Sequence, residues 1–222
     1  MRKEYQLSVN FQFKLHFPAD NYVLIDFGNR IDVDLNRYVL SMASALETDA
    51  IIEIIPAYSS ILLEYNPDFI KKHELKSFIK SAKPKQMENI ETCHEINVSY
   101  GGESGPDLGF VSQNAGLSEQ QVIDIHTSKE YRVFMIGFLP GFCYLGGLDP
   151  RLETKRLEIP RLLIPAGSVG IAGGQTGIYP EDSPGGWRII GKTGFRFFVP
   201  GAEEPFPVKP GDSIRFRAVK DV

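Results

Sequence analysis

The stretch IPAGSVGIAGGQTGIYPEDSPGGW, residues 164–187, together with FLPGFCYLGGLDPRL at 138–152, decides how the second half of the chain folds. From Gly137 to Gly211 the sequence holds 15 of its 21 glycines, and from Pro140 onward 10 of its 15 prolines. They punctuate short β-like runs: YRVFMIGF (131–138), WRIIG (187–191), FRFFV (195–199) and SIRFRAV (213–219). Glycine marks bends where no side chain fits and proline marks edges and turns, so the pattern reads as a many-cornered β-barrel.

Upstream of it, CHEINVSY (93–100) reads as a strand. Pro106 opens a helical segment that resumes after a turn as SEQQVIDIHTS (118–128), where Ser118 and Gln121 have capping-box spacing. Over KPKQMENIET, 83–92, the hydrophobic period is lost. The expected domains are therefore 1–88, an α+β unit, and 89–222, a mainly-β barrel. In the first, Phe11, Phe13, Leu15 and Phe17 alternate with polar residues as in a half-buried strand, and YVLIDF (22–27) follows the turn-like PADN. Leu35, Val39, Met42 and Leu46 recur at helical spacing behind acidic residues. IIEIIPA and SILLEY give two more strands, and Asn66-Pro67 is expected to open a helix over 67–82. That order is close to a split βαβ sandwich of ferredoxin-like type with an extra strand.

With 222 residues, 42% hydrophobic and 23% charged, the chain can bury a core and is not disordered. A net charge of -4 provides no overall attraction to polyanions, so neither nucleic acid nor a membrane surface is an expected partner. The first 17 residues lack the continuous apolar core of a signal peptide, and no apolar run reaches 18 residues. Cys93 and Cys143 stand far apart, as two reduced thiols rather than a disulfide framework, and the chain reads as cytoplasmic.

Nucleotide motifs fail on inspection. Gly141 and Gly146 have phosphate-loop separation, but Gly147-Leu148 follow where Lys and Ser/Thr are required. Gly167, Gly170 and Gly173 repeat every third residue, unlike a dinucleotide turn. A backbone nest built from these glycines could still hold phosphate. The histidines lack metal-ligand spacing, and His16, His73 and His94 read as structural. His126 closes a helix: it is either a partner for the helix dipole or a general acid/base at the barrel mouth. Gln175, Thr176 and Tyr179, with Ser183 and Trp187, set amide, hydroxyl and indole groups on glycine-rich loops where a ligand can approach closely. The alternative for each is ordinary: core aromatics, and side chains that satisfy turn backbone.

YGGESGPDL, GFLPGFCYLGGLDPRL, IPAGSVGIAGGQTGIYPEDSPGGW and KPGDSIRF closely resemble the family of the 5-oxoprolinase B component, also called allophanate hydrolase subunit 1, which includes the Kip inhibitor of a sporulation histidine kinase. VLIDFGNRIDVDLNRYVL and IIEIIPAYSSILLEY extend the resemblance over nearly the whole chain. It implies a small α+β domain followed by a cyclophilin-like barrel. It also implies one component of an ATP-dependent 5-oxoprolinase, working with the A and C subunits of that enzyme, with ATP (and Mg) as co-substrate, that opens 5-oxo-L-proline to L-glutamate with its site in the barrel cleft. The other role found in the family is inhibition of a sensor histidine kinase. Carried over residue by residue, Gln175, Thr176, Tyr179, Gly167 and Ser168 are the expected substrate contacts, Trp187 a pocket wall, and Glu103, Asp107 and His126 the proton-transfer candidates. The family often has Asn at the position of Gly174 and Pro at that of Cys143, so neither carries a catalytic role.

Overall fold

The computed structural model describes residues 11–84 and 92–220. The chain divides into two compact units, Met1–Ile90 and Glu91–Val222. The boundary expected between 88 and 89 lies outside the described residues.

The first unit runs β1 (Lys14–Ala19), β2 (Tyr22–Asp26), α1 (Val33–Ala45), β3 (Ile51–Pro56), β4 (Ser60–Tyr65) and α2 (Leu75–Ser81). Its sheet has the order β1-β2-β4-β3, every pair antiparallel. β4 therefore lies between the two strands that α1 connects. The Asp32 side chain caps α1 by accepting from the Leu35 N–H at 2.8 Å, and Leu35, Val39, Met42 and Leu46 are all buried on one face. The second helix is shorter than expected. Residues 67–74 form turns, because the Asn66 carboxamide oxygen accepts from the Asp68 N–H and the Glu74 carboxylate from the Lys71 N–H, closing local loops that compete with a helical ladder.

The second unit carries β5 (Cys93–Tyr100), α3 (Leu108–Ala115), α4 (Glu119–Thr127), β6 (Glu130–Ile136), β7 (Cys143–Gly146), β8 (Arg161–Ile164), β9 (Ser168–Ala172), β10 (Gln175–Ile178), β11 (Ser183–Gly185), β12 (Arg188–Lys192) and β13 (Ser213–Val219). Seven strands close a barrel in the order β10-β7-β6-β13-β5-β12-β9, while β8 and β11 form a separate two-stranded sheet. Only β5 and β13 pair in parallel among the barrel strands. Alternate residues fill the interior: Ile96 and Val98, Tyr131 and Val133, Cys143 and Leu145, Val169 and Ile171, Ile214 and Phe216. The lumen is thus a packed core and not a cleft. The capping box of α4 forms as its spacing predicts. FRFFV does not form a strand; 195–199 is irregular, with Phe197 buried as an anchor in the core. Among the described residues no helix is long and apolar enough to cross a membrane.

Candidate functional site

The barrel wall has two faces, and β10 sorts the sequence candidates between them. Thr176 and Ile178 point into the lumen, so Gln175, Gly177 and Tyr179 belong to the outside.

Inside, His126 is completely buried. Its Nδ1 lies 2.7 Å from the Tyr100 hydroxyl and its Nε2 3.0 Å from Thr176 Oγ1. The Thr176 hydroxyl gives its single hydrogen to the Gly170 carbonyl, so it accepts from His126 Nε2–H, and Nδ1 accepts from Tyr100. Tyr131 donates to the His126 carbonyl, and Phe216 stacks on the ring at 4.6 Å. Burial lowers the imidazole from its ordinary value of 6.5 to about 3 and raises the Tyr100 phenol well above its own. The ring is neutral and its tautomer is set by the hydroxyls on either side. This is a satisfied core network joining α4, β5, β9 and β10, away from any approaching substrate.

Gly167 and Ser168 sit at the turn into β9. The Gly167 N–H donates to the Tyr179 carbonyl and the Ser168 hydroxyl to the Pro165 carbonyl, so both are occupied in shaping the turn. Gly167 has φ +82, and a Cβ there would lie 2.1 Å from the Thr193 carbonyl oxygen. Gly173 donates to the Thr154 carbonyl, while Gly170 and Gly177 face each other in the β9–β10 ladder. The N–H groups of Gly167 and Gly173, which could have joined a phosphate nest, are bonded within the barrel. Among the described residues no three His, Cys, Asp or Glu side chains are placed to hold a metal ion.

Outside, Phe142, Ile164, Ala172, Tyr179, Trp187 and Ile189 form a second cluster, with Tyr144 and Leu139 against it. Gly177 makes room for it: a Cβ would meet the Trp187 ring at 3.0 Å and the Phe142 ring at 3.3 Å. Tyr179 and Trp187 are thus brought together, 6.5 Å apart edge to face, with Phe142 between them at 5.0 and 5.5 Å. Phe138 closes one side in a left-handed conformation, φ +71, which a non-glycine residue holds only against strain. Burial pushes the Tyr179 phenol up to about 12, with the Arg156 and Arg161 charges opposing, so it remains a hydrogen-bond donor.

Asp107 joins this face. It holds Arg161 through two bonds of 2.8 and 2.9 Å, accepts from the Ile189 N–H at 2.7 Å and has Arg188 at 3.8 Å. Arg188 also stacks on Phe110 at 3.7 Å. Asp107 acts as the clamp between α3, β8 and β12. Glu103 stands exposed in the turn after β5 with no partner among the described residues. Among the described residues the Ser183 hydroxyl and Arg188 Nε are buried without a hydrogen-bond partner. Arg156, Arg161, Arg188 and Tyr144 escaped the sequence reading, because nothing in the local pattern separates these arginines from the other charged residues of 151–161.

His94 pairs with Asp212 at 3.0 Å. Burial pushes the Cys143 thiol up to about 12, which makes it inert, and Cys93 is free. Beside the aromatic face, β8 displays an apolar strip: Leu162 is 93% exposed, Ile159 just before it 85%, and Leu163 and Phe138 are also exposed.

Comparison with known proteins gives this architecture a place. The model of the carboxyltransferase domain, subdomain C and D, matches residues 13–208. The chain belongs to that family. Within it, the chain is 38% identical to the B component of 5-oxoprolinase from Bacillus subtilis (strain 168), over 95% of this chain and 94% of that protein. It is 44% identical to the corresponding 5-oxoprolinase component of Escherichia coli O157:H7, over 77% of this chain and 79% of the relative. The crystal structure of TTHA0988 superposes with a TM-score of 0.82 at 34% identity, over 90% of this chain. The chain spans only 40% of that solved chain's length, so this carboxyltransferase module also occurs within a longer polypeptide.

Proposed function

We propose that this chain is the B component of a multi-subunit, ATP-dependent 5-oxoprolinase, which opens the lactam of 5-oxo-L-proline to L-glutamate and works only with the A and C components. The observation that carries the reading is the outer face of the barrel. There a neutral phenol (Tyr179) belongs to a buried aromatic cluster whose rim carries the exposed Arg156. Relatives that match nearly end to end and are named as that 5-oxoprolinase component support it.

An unstrained lactam resists hydrolysis, and phosphorylating its carbonyl oxygen with ATP creates a better electrophile. The N–H groups of Gly167 and Gly173 are bonded within the barrel, and this chain's part in the reading is substrate orientation. Of the arginines here, the exposed Arg156 is the donor left for the substrate, since Arg161 and Arg188 are held by Asp107. The exposed strip of β8 is the surface such a component would cover. The strand order of the first unit supports a split βαβ, ferredoxin-like type with its fourth strand placed first, and the closed second unit a cyclophilin-like barrel.

Purified A, B and C components should release glutamate from 5-oxo-L-proline and ATP, and the same mixture without this chain should not. Undiminished release without it would sink the reading, and loss of histidine-kinase autophosphorylation on adding the chain would replace it with the inhibitor role.

A further inference from the structure

We infer that Arg156 is the residue of this face that recognises a carboxylate, and so selects a ring bearing an acid group over the bare lactam; the inference deepens the substrate reading above. Arg156 lies on the segment between the 3-10 turn at Pro150–Leu152 and β8. That segment is pinned on both sides: Thr154 bridges to Gly173 and accepts its N–H at 2.8 Å, and the Leu157 N–H donates to the Gly186 carbonyl at 2.7 Å. The backbone is therefore held against the β9–β10 turn and the start of β12, while the guanidinium lies over the Trp187 ring with Cζ 5.8 Å from its centroid.

The charges around it are unequal. Arg161 is closed bidentately by Asp107, and Arg188 shares that same carboxylate. Two guanidinium groups thus share one acid. Arg156 has no hydrogen bond or ion pair among the described residues, although Glu153 and Glu158 stand on its own segment. A guanidinium anchored on rigid backbone and left unpaired beside an aromatic wall presents a planar fork of donors, the geometry that matches a carboxylate through two parallel bonds. Its charge also reaches the Tyr144 and Tyr179 phenols, whose raised values it opposes, so it shares one face with them. Arg156 is exposed while Tyr179 and Trp187 are buried beneath it, so an acid group would meet the guanidinium at the outer rim of the aromatic cluster.

Trp187 is the chain's only tryptophan, so its emission reports a ligand at Arg156. The full chain would be titrated with 5-oxo-L-proline, with 2-pyrrolidinone (the same lactam without the acid) and with inorganic phosphate. Wild type should bind 5-oxo-L-proline best. Arg156→Gln should weaken it roughly 10- to 100-fold, as expected for losing charge-assisted bonds, and leave 2-pyrrolidinone unchanged. Arg156→Lys should fall between. Equal affinity of the wild type for the two lactams, no response to either, or an Arg156→Gln variant that binds like wild type would each overturn the inference. Phosphate binding as tightly as 5-oxo-L-proline and lost in Arg156→Gln would overturn it in favour of a phosphate site. In the three-component assay, Arg156→Gln should raise KM for 5-oxo-L-proline and leave KM for ATP alone. Selective binding without turnover would remove the enzyme reading and leave the carboxylate site standing.

Discussion

Acidification should destabilise the barrel through one residue, His126. The imidazole is enclosed by Tyr100, Thr176, Tyr131 and Phe216, with no carboxylate in contact, and burial lowers its pKa from 6.5 to about 3. The unfolded chain therefore takes up the proton first. The stabilisation from keeping this ring neutral is complete above about pH 6.5 and is lost as pH falls toward 3. Each pH unit below 6.5 removes about 1.4 kcal/mol, so moving from pH 7 to pH 5 should cost the barrel about 2 kcal/mol through this group alone. Trp187 lies in the barrel unit, so its fluorescence during urea unfolding reports that unit separately. Other groups titrate as well; the informative quantity is the stability of wild type minus that of His126→Gln, which should shrink by about 2 kcal/mol between pH 7 and pH 5. A second readout is independent of the variant's folding: one of the four histidine NMR resonances should stay unshifted from pH 8 to pH 5. A difference between wild type and variant that does not change with pH, or four histidines that all titrate near 6.5, would refute the buried neutral ring.

Thr176→Val keeps the shape but leaves His126 Nε2–H without an acceptor, and urea unfolding should show a loss of about 1–3 kcal/mol. Asp107→Asn breaks the pair with Arg161 inside the clamp, with a loss of about 3 kcal/mol by the same measurement. Gly167→Ala combines a left-handed backbone with a Cβ driven against the Thr193 carbonyl, and should lose more than about 2 kcal/mol in thermal unfolding. Leu162→Asp, on the exposed strip, should leave stability within about 0.5 kcal/mol but reduce co-purification with the other components; unaltered recovery of the complex would place the contact elsewhere.

The glycine and proline spacing was enough to read a barrel, because tight corners tolerate few other residues, and period-2 and period-3.6 patterns located the strands of the first unit, α1 and the capped α4. Local patterns misjudged two segments, 67–74 and 195–199. In the first, side chains closed turns in place of a helix; in the second, Phe197 was buried by an irregular backbone. The candidate site was legible only as a cluster. Tyr179 and Trp187 do share a face, yet Thr176, adjacent along the chain to Gln175, points into the lumen, since neighbouring strand residues face opposite ways and the sequence does not say which way is in. Nor could it show that His126, 50 residues from Thr176, meets it at 3.0 Å, or that Asp107 is spent on Arg161, 54 residues away. Residue chemistry and backbone permissiveness are local properties and can be read along the chain. Which side chains end up paired and which, like Arg156, stay unpaired depends on barrel closure, which joins β9 to β10 and brings distant strands into register, and that is decided only in three dimensions.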